Sequence, residues 1–163
     1  MKHSVKISFM AIVAMFAFSV VAKAQDLVTF DGEKFSVQHP KEYADVIDDW
    51  TPGVVNEWKK DDQHKLSVWP DEYSDTTVET LKDWGGIMKQ DLAEKNEGWK
   101  IEEPVVSGNY LTIRMTAGDA VQYYYATVVD GKNFFDGKMS FLAAEEAQYK
   151  PVLEAVISSI KKK

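Results

Sequence analysis

The chain has 163 residues, 26 acids against 19 lysine-plus-arginine and no cysteine. An acidic chain of this kind does not hold a phosphate backbone by bulk charge, so nucleic acid and anionic membrane are excluded as expected partners. The missing cysteines exclude thiol nucleophiles, thiol redox work and cysteine metal sites.

In chain order, the first 24 residues read as a secretory leader. Lys2 and Lys6 precede an uncharged apolar run over 7–22, and Ala22-Lys23-Ala24 is a small-x-small cleavage pattern. The run is shorter than the roughly 20 residues a membrane helix needs, and no other stretch approaches that length, so no stable membrane insertion is expected. Gln25 stands where a lipoprotein would carry cysteine. The reading is an exported, soluble chain, periplasmic or extracellular, cleaved after Ala24, with residues 25–163 as a single domain. Removing Lys2, Lys6 and Lys23 leaves a net charge of −10.

Phe30-Asp31-Gly32-Glu33-Lys34-Phe35 reads as a short turn or hairpin leading into a strand that ends at Pro40. Residues 54–60 and 65–69 read as a strand pair joined by Asp61-Asp62-Gln63-His64. The period then changes: Val78, Leu81, Gly85, Met88 and Leu92 follow helical spacing, and Thr76 with Glu79 forms a capping box, predicting a helix over 77–95. Gly85-Gly86 inside it costs about 1 kcal/mol per glycine relative to alanine, which close packing or a bend must offset.

Strands are predicted over 100–106, 109–116, 121–129 and 134–142, separated by Ser107-Gly108, Gly118-Asp119 and Asp130-Gly131. Short turns make these an antiparallel meander. Within it Tyr123 and Tyr125 share one face and Tyr124 takes the other. Asp136-Gly137 suggests a bulge or bend. A last helix starts near Ala147, with Tyr149, Val152, Leu153, Val156 and Ile160 as its apolar stripe and Lys161 to Lys163 at the negative end of its dipole.

Phe35-Ser36-Val37-Gln38-His39-Pro40, the helix that follows the second hairpin, and an ending in which a strand runs into a helix closing with Ile157-Ser158-Ser159-Ile160-Lys161 resemble the PsbP-like superfamily. That group includes PsbP, the periplasmic DcrB-type proteins and a Ran-binding transport factor. The resemblance implies an α+β fold: an antiparallel sheet of about six or seven strands with helices on both faces. It implies no shared chemistry and carries over no functional residue.

The chemistry of sites leaves little. No nucleophile elbow or phosphate-cradling loop occurs, and no catalytic residue, cofactor or metal ligand is assigned. His64 with Asp61 and Asp62 is the one set that could suit a hard cation, and such acids in a turn are usually just solvated. Three residues are singled out for binding. Trp50 lies in the loop Asp48-Asp49-Trp50-Thr51-Pro52-Gly53 and needs a pocket beneath it or a partner above it. Arg114, the only arginine, is placed opposite the Leu111-Ile113-Met115 core face, to bind a partner or form an internal ion pair. Trp69 is expected to join it there. The expected function is a non-enzymatic protein-interaction module whose partner is another envelope or secreted protein. The alternative is a small-molecule carrier with an aromatic-lined pocket.

Overall fold

Alternation along one strand organises the molecule. In the computed structural model, which describes residues 26–47 and 55–163, Tyr123, Tyr124 and Tyr125 lie in β10 (Ala120–Val129). Tyr123 and Tyr125 enter one apolar cluster and Tyr124 enters another, as a period of two requires. The leader and its cleavage site, and Trp50 with its loop, fall outside the described residues.

β10 pairs on one side with β9 (Tyr110–Ala117) and on the other with β11 (Asn133–Leu142), all antiparallel. Asp130 and Gly131 both take positive φ at the β10–β11 turn, the conformation that Asp-Gly supplies at low steric cost. Outward from β11 the sheet continues through β5 (Lys65–Ser67) and β4 (Glu57–Lys59) to β3 (Ala44–Val46), with β6 (Trp69–Asp71) also on β11. Beyond β9 come β7 (Lys100–Ile101) and β8 (Val105–Ser107). This sheet has nine strands, more than the expected six or seven, because Pro104 divides the predicted 100–106 strand, the 65–69 strand is interrupted at Val68, and β3 adds a short edge strand that the sequence pattern does not predict.

A second, three-stranded sheet has the order β1-β2-β12, from β1 (Leu27–Asp31), β2 (Phe35–Pro40) and β12 (Lys161–Lys162). The terminal lysines therefore extend along β2 rather than completing a helix end. Lys162 Nζ reaches Glu72 at 3.2 Å and Lys163 Nζ reaches Asp31 at 2.7 Å.

No bulge forms at Asp136-Gly137: the β10–β11 register runs unbroken from Ala120↔Leu142 to Val129↔Asn133. The glycine serves a close approach instead. A Cβ there would lie 2.0 Å from the Ser67 carbonyl oxygen and 2.7 Å from the Tyr125 hydroxyl, and that hydroxyl donates to the same carbonyl at 2.7 Å.

The first helix, α1, spans Leu81–Lys95 and starts later than the capping-box reading placed it. Thr76 does not cap; it is buried, its N–H donating to Ser74 Oγ at 3.2 Å. Residues 78–80 form a turn in which Thr80 Oγ1 accepts from the Thr77 N–H at 2.9 Å, so the first helical residue is pushed back to Leu81. Leu81 and Leu92 pack with Leu111, Ile113, Met115 and Tyr124. The second helix, α2, spans Glu146–Ser159 after a 3-10 turn over Ala143–Glu145. Pro151 falls in its second turn, forgoing one backbone bond. Tyr149, Val152, Leu153, Val156 and Ile160 all enter the cluster that holds Tyr123 and Tyr125, and Ile157 joins them.

Candidate functional site

Strand β9 sorts its side chains cleanly. Leu111, Ile113 and Met115 are fully buried toward α1, which leaves Tyr110, Thr112 and Arg114 on the opposite face with Tyr123. There Arg114 meets two acids. Its Nε and Nη2 donate to the two oxygens of Glu146, each at 2.7 Å, and its Nη1 donates to Glu102 Oε1 at 2.8 Å. The Tyr123 hydroxyl donates to Glu146 Oε1 at 2.6 Å. Glu146 is the first residue of α2, where the helix dipole also favours negative charge. Glu102 lies between β7 and β8, its N–H donating to the Arg114 carbonyl at 2.9 Å.

Bidentate pairing fixes the guanidinium in plane and direction. The hydrogen bonds to Glu146, with burial opposing, raise the Arg114 pKa above its ordinary value, and the bond to Arg114 holds the Glu146 carboxyl below the usual range. Burial, then Glu146, pushes the Tyr123 hydroxyl up. The Arg114 and Glu146 charges therefore stay fixed through neutral pH. They floor a cleft of about 560 Å³ whose walls include Val105, Lys150, Leu153, Glu103 and Glu154. Every residue of the adjoining β8 is exposed: Val105, at 63%, on the cleft side, and Val106, at 42%, on the face it shares with Leu111.

Arg114 thus occupies the face read from alternation, engaged in two internal ion pairs rather than one. Trp69 does not join it. Two strands, β10 and β11, separate β6 from β9, and Trp69 is in register with Asp136, on the face opposite Tyr123. Trp69 is 44% exposed and lines a smaller hollow of about 260 Å³ with Phe30, Phe35, Val55 and Pro70.

His64 has a different setting from the solvated turn expected of it. It is buried, with Nδ1 at 2.8 Å from Asp61 and Nε2 at 2.6 Å from Glu145, and its ring lies against Tyr149 at 5.4 Å. Burial lowers its pKa, but the two carboxylates outweigh that and hold it above 6.5. With a carboxylate at each nitrogen the ring is an ion-pair clamp between the β4–β5 turn and the entry to α2. Among the described residues no group of three or more acidic or histidine side chains could hold a metal ion, and no helix is long and apolar enough to cross a membrane. His39 is stacked on Trp58 at 5.1 Å, and burial lowers its pKa.

Sequence reasoning missed Glu146, Glu102, Glu145 and the exposed valines of β8. Glu146 had one legible sign, an acid at the start of a helix, but nothing marked it among 26 acids as the partner of Arg114.

No protein-family model matches the chain, and no curated protein is similar to it in sequence. Solved structures do resemble it. One is the cyanobacterial PsbP (CyanoP) from Synechocystis sp. PCC 6803, with a TM-score of 0.61 and 18% identity over 91% of this chain and 99% of that one. Another is the Ran-binding protein Mog1p of Saccharomyces cerevisiae, with a TM-score of 0.52 and 12% identity over 84% of this chain and 95% of that one.

Proposed function

We propose that this chain, which has the PsbP-like fold, is an exported, non-enzymatic docking domain that binds another protein of the cell envelope along β8 and the cleft beside it. The observation that carries the reading is the uncovered edge strand: three exposed residues, with Val105 exposed beside the cleft and Val106 exposed on the other face of the same strand. An open edge accepts an added strand through main-chain hydrogen bonds, and neighbouring pockets read alternate side chains. Glu102 is held by Arg114 and Glu103 by Lys89, which leaves Glu154 as the cleft carboxylate to meet a basic side chain on the partner segment. One similar structure is that of a Ran-binding protein, so the fold is compatible with protein recognition.

The reading takes the architecture as an α/β/α sandwich, with α1 and α2 on opposite faces, supported by the two separate apolar clusters. Export rests on the leader pattern, and the intact mass of the protein recovered outside the cytoplasm checks it. A mass beginning at Gln25 is expected, and one that retains the first 24 residues overturns export.

The docking test is Val105→Glu. It faces solvent, so the melting temperature holds while a partner captured by the parent protein, identified by mass and rebound in purified form, is lost. Unchanged rebinding removes β8 from the interface. A carrier is the second reading, favoured by the Trp69 hollow with its aromatic lining. Saturable quenching of tryptophan fluorescence by an apolar probe, abolished in Trp69→Ala, distinguishes it.

A further inference from the structure

Helix α1 covers only part of the sheet face it packs on. Ile113, Met115 and Tyr124 lie in its cluster. The same face continues across β11, β5 and β4, and alternation places polar side chains there. In one row Lys59, Lys65, Ser140 and Gln122 stand side by side; in the next Glu57 and Ser67 lead to Lys138. Together with Val46 they line a hollow of about 300 Å³.

The charge pattern is the reverse of the molecule's. A chain with 26 acids places three lysines and one carboxylate on this surface. Lys59 is directly opposite Lys65 across the β4–β5 pair, an arrangement in which like charges repel. Lys138 is the diagonal neighbour of Lys65, roughly 7–8 Å away at the backbone and within reach of its flexible side chain. Internal relief is slight. Lys65 reaches only the exposed Asp62, at 3.9 Å. Asp136, two residues from Lys138, feels the charge of Lys138 but makes no ion pair with it and is engaged by the Tyr124 hydroxyl at 2.9 Å. Among the described residues neither Lys59 nor Lys138 makes an ion pair. Hydroxyl and amide donors complete the surface: Ser67 Oγ already accepts from the Lys138 N–H at 3.0 Å, so its own proton is free to donate.

From this geometry we infer that the hollow binds a small oxyanion of two or more negative charges, a phosphate ester or a polycarboxylate. Such a ligand bridges the opposed ammonium groups, replaces their repulsion with charge-assisted hydrogen bonds, and takes further donors from Ser140, Gln122 and Ser67. The site lies on a different surface from β8 and stands or falls separately from the docking reading.

The test is a titration of the purified protein with inorganic phosphate and, separately, with citrate, at ionic strength matched with sodium chloride and followed by amide NMR shifts. Saturable shifts confined to β4, β5, β11 and the Gln122 end of β10 are expected with at least one of the two. Phosphate alone points to an ester, citrate alone to a carboxylate, and both to recognition by charge. The double variant Lys65→Ala, Lys138→Ala weakens binding by about tenfold or more, whereas Lys132→Ala, on the exposed β10–β11 turn, leaves it unchanged. Non-saturating shifts that sodium chloride reproduces, or parent-like affinity in the double variant, overturn the proposal.

Discussion

The two helices pack against the large sheet by different means. Helix α2 fills space with large side chains: Tyr149, Val152, Leu153, Val156 and Ile157 are all buried, and Tyr149 stacks on Phe141 at 5.2 Å. Helix α1 buries only Leu81, Gly85 and Leu92 and gains proximity by leaving a side chain out. A Cβ at Gly85 would come within 3.0 Å of Pro104 and 3.1 Å of Leu111. One helix is held by the volume it inserts, the other by how near its backbone comes. The first mode tolerates little polarity and the second little bulk.

Val156→Asp strikes the first mode hardest. It buries a carboxylate at a fully enclosed position, and a loss of about 4 kcal/mol or more is expected. Urea unfolding measures it; a variant melting within a degree or two of the parent would show that α2 is not docked through this face. Arg114→Ala removes the link from the start of α2 to β9, leaving Glu102 without its cation and Glu146 with only the Tyr123 hydroxyl. Because all three side chains are partly exposed, the expected loss is about 1–2 kcal/mol. Arg114→Lys recovers only part of it, since an ammonium cannot span both Glu146 oxygens.

The adjacent glycines sharpen the contrast. Nothing lies within 4 Å of a Cβ at Gly86, so Gly86→Ala stabilises by about 1 kcal/mol. Gly85→Ala has the same helical gain but presses on Pro104 and Leu111, and its unfolding midpoint falls below that of Gly86→Ala. Equal midpoints would dismiss the close-approach account of α1.

The smallest effect is the pH dependence of the His64 clamp on α2. The folded pKa lies above 6.5, so the clamp's contribution is complete below the unfolded value and fades as pH rises through the folded one. The margin of the parent over His64→Gln in melting temperature is therefore larger at about pH 5 than at about pH 9. A constant margin would mean that the ring holds the turn by packing alone.

Periodicity carried most of what was legible. Residue types at a spacing of two sorted the three tyrosines and placed Arg114 opposite Leu111, Ile113 and Met115; spacing of three and four found the stripe of α2. What failed depended on distant chain. Asp136-Gly137 looks like a bulge until the Ser67 carbonyl is known to approach, 70 residues upstream. Trp69 looked like a companion for Arg114 because local alternation says nothing about how many strands intervene. Lys161 and Lys162 continue a helical pattern on paper, and only the presence of β2 makes an extended ending more favourable. The resemblance to the PsbP-like fold supplied the global arrangement that local patterns could not, but without site residues.

Pairing of β12 with β2 sets Lys161 against Ser36 and Lys162 against Phe35, partners more than a hundred residues apart. Closing so long a loop is entropically costly, and contacts of this separation form slowly. The β9–β10–β11 meander needs only neighbouring turns and assembles without them. The small sheet is therefore expected to close late in folding, after the meander is in place, and Phe35, whose strand it completes, acquires its last neighbours only then. A refolding experiment followed by amide protection would find Tyr124 and Tyr125 guarded before Ser36.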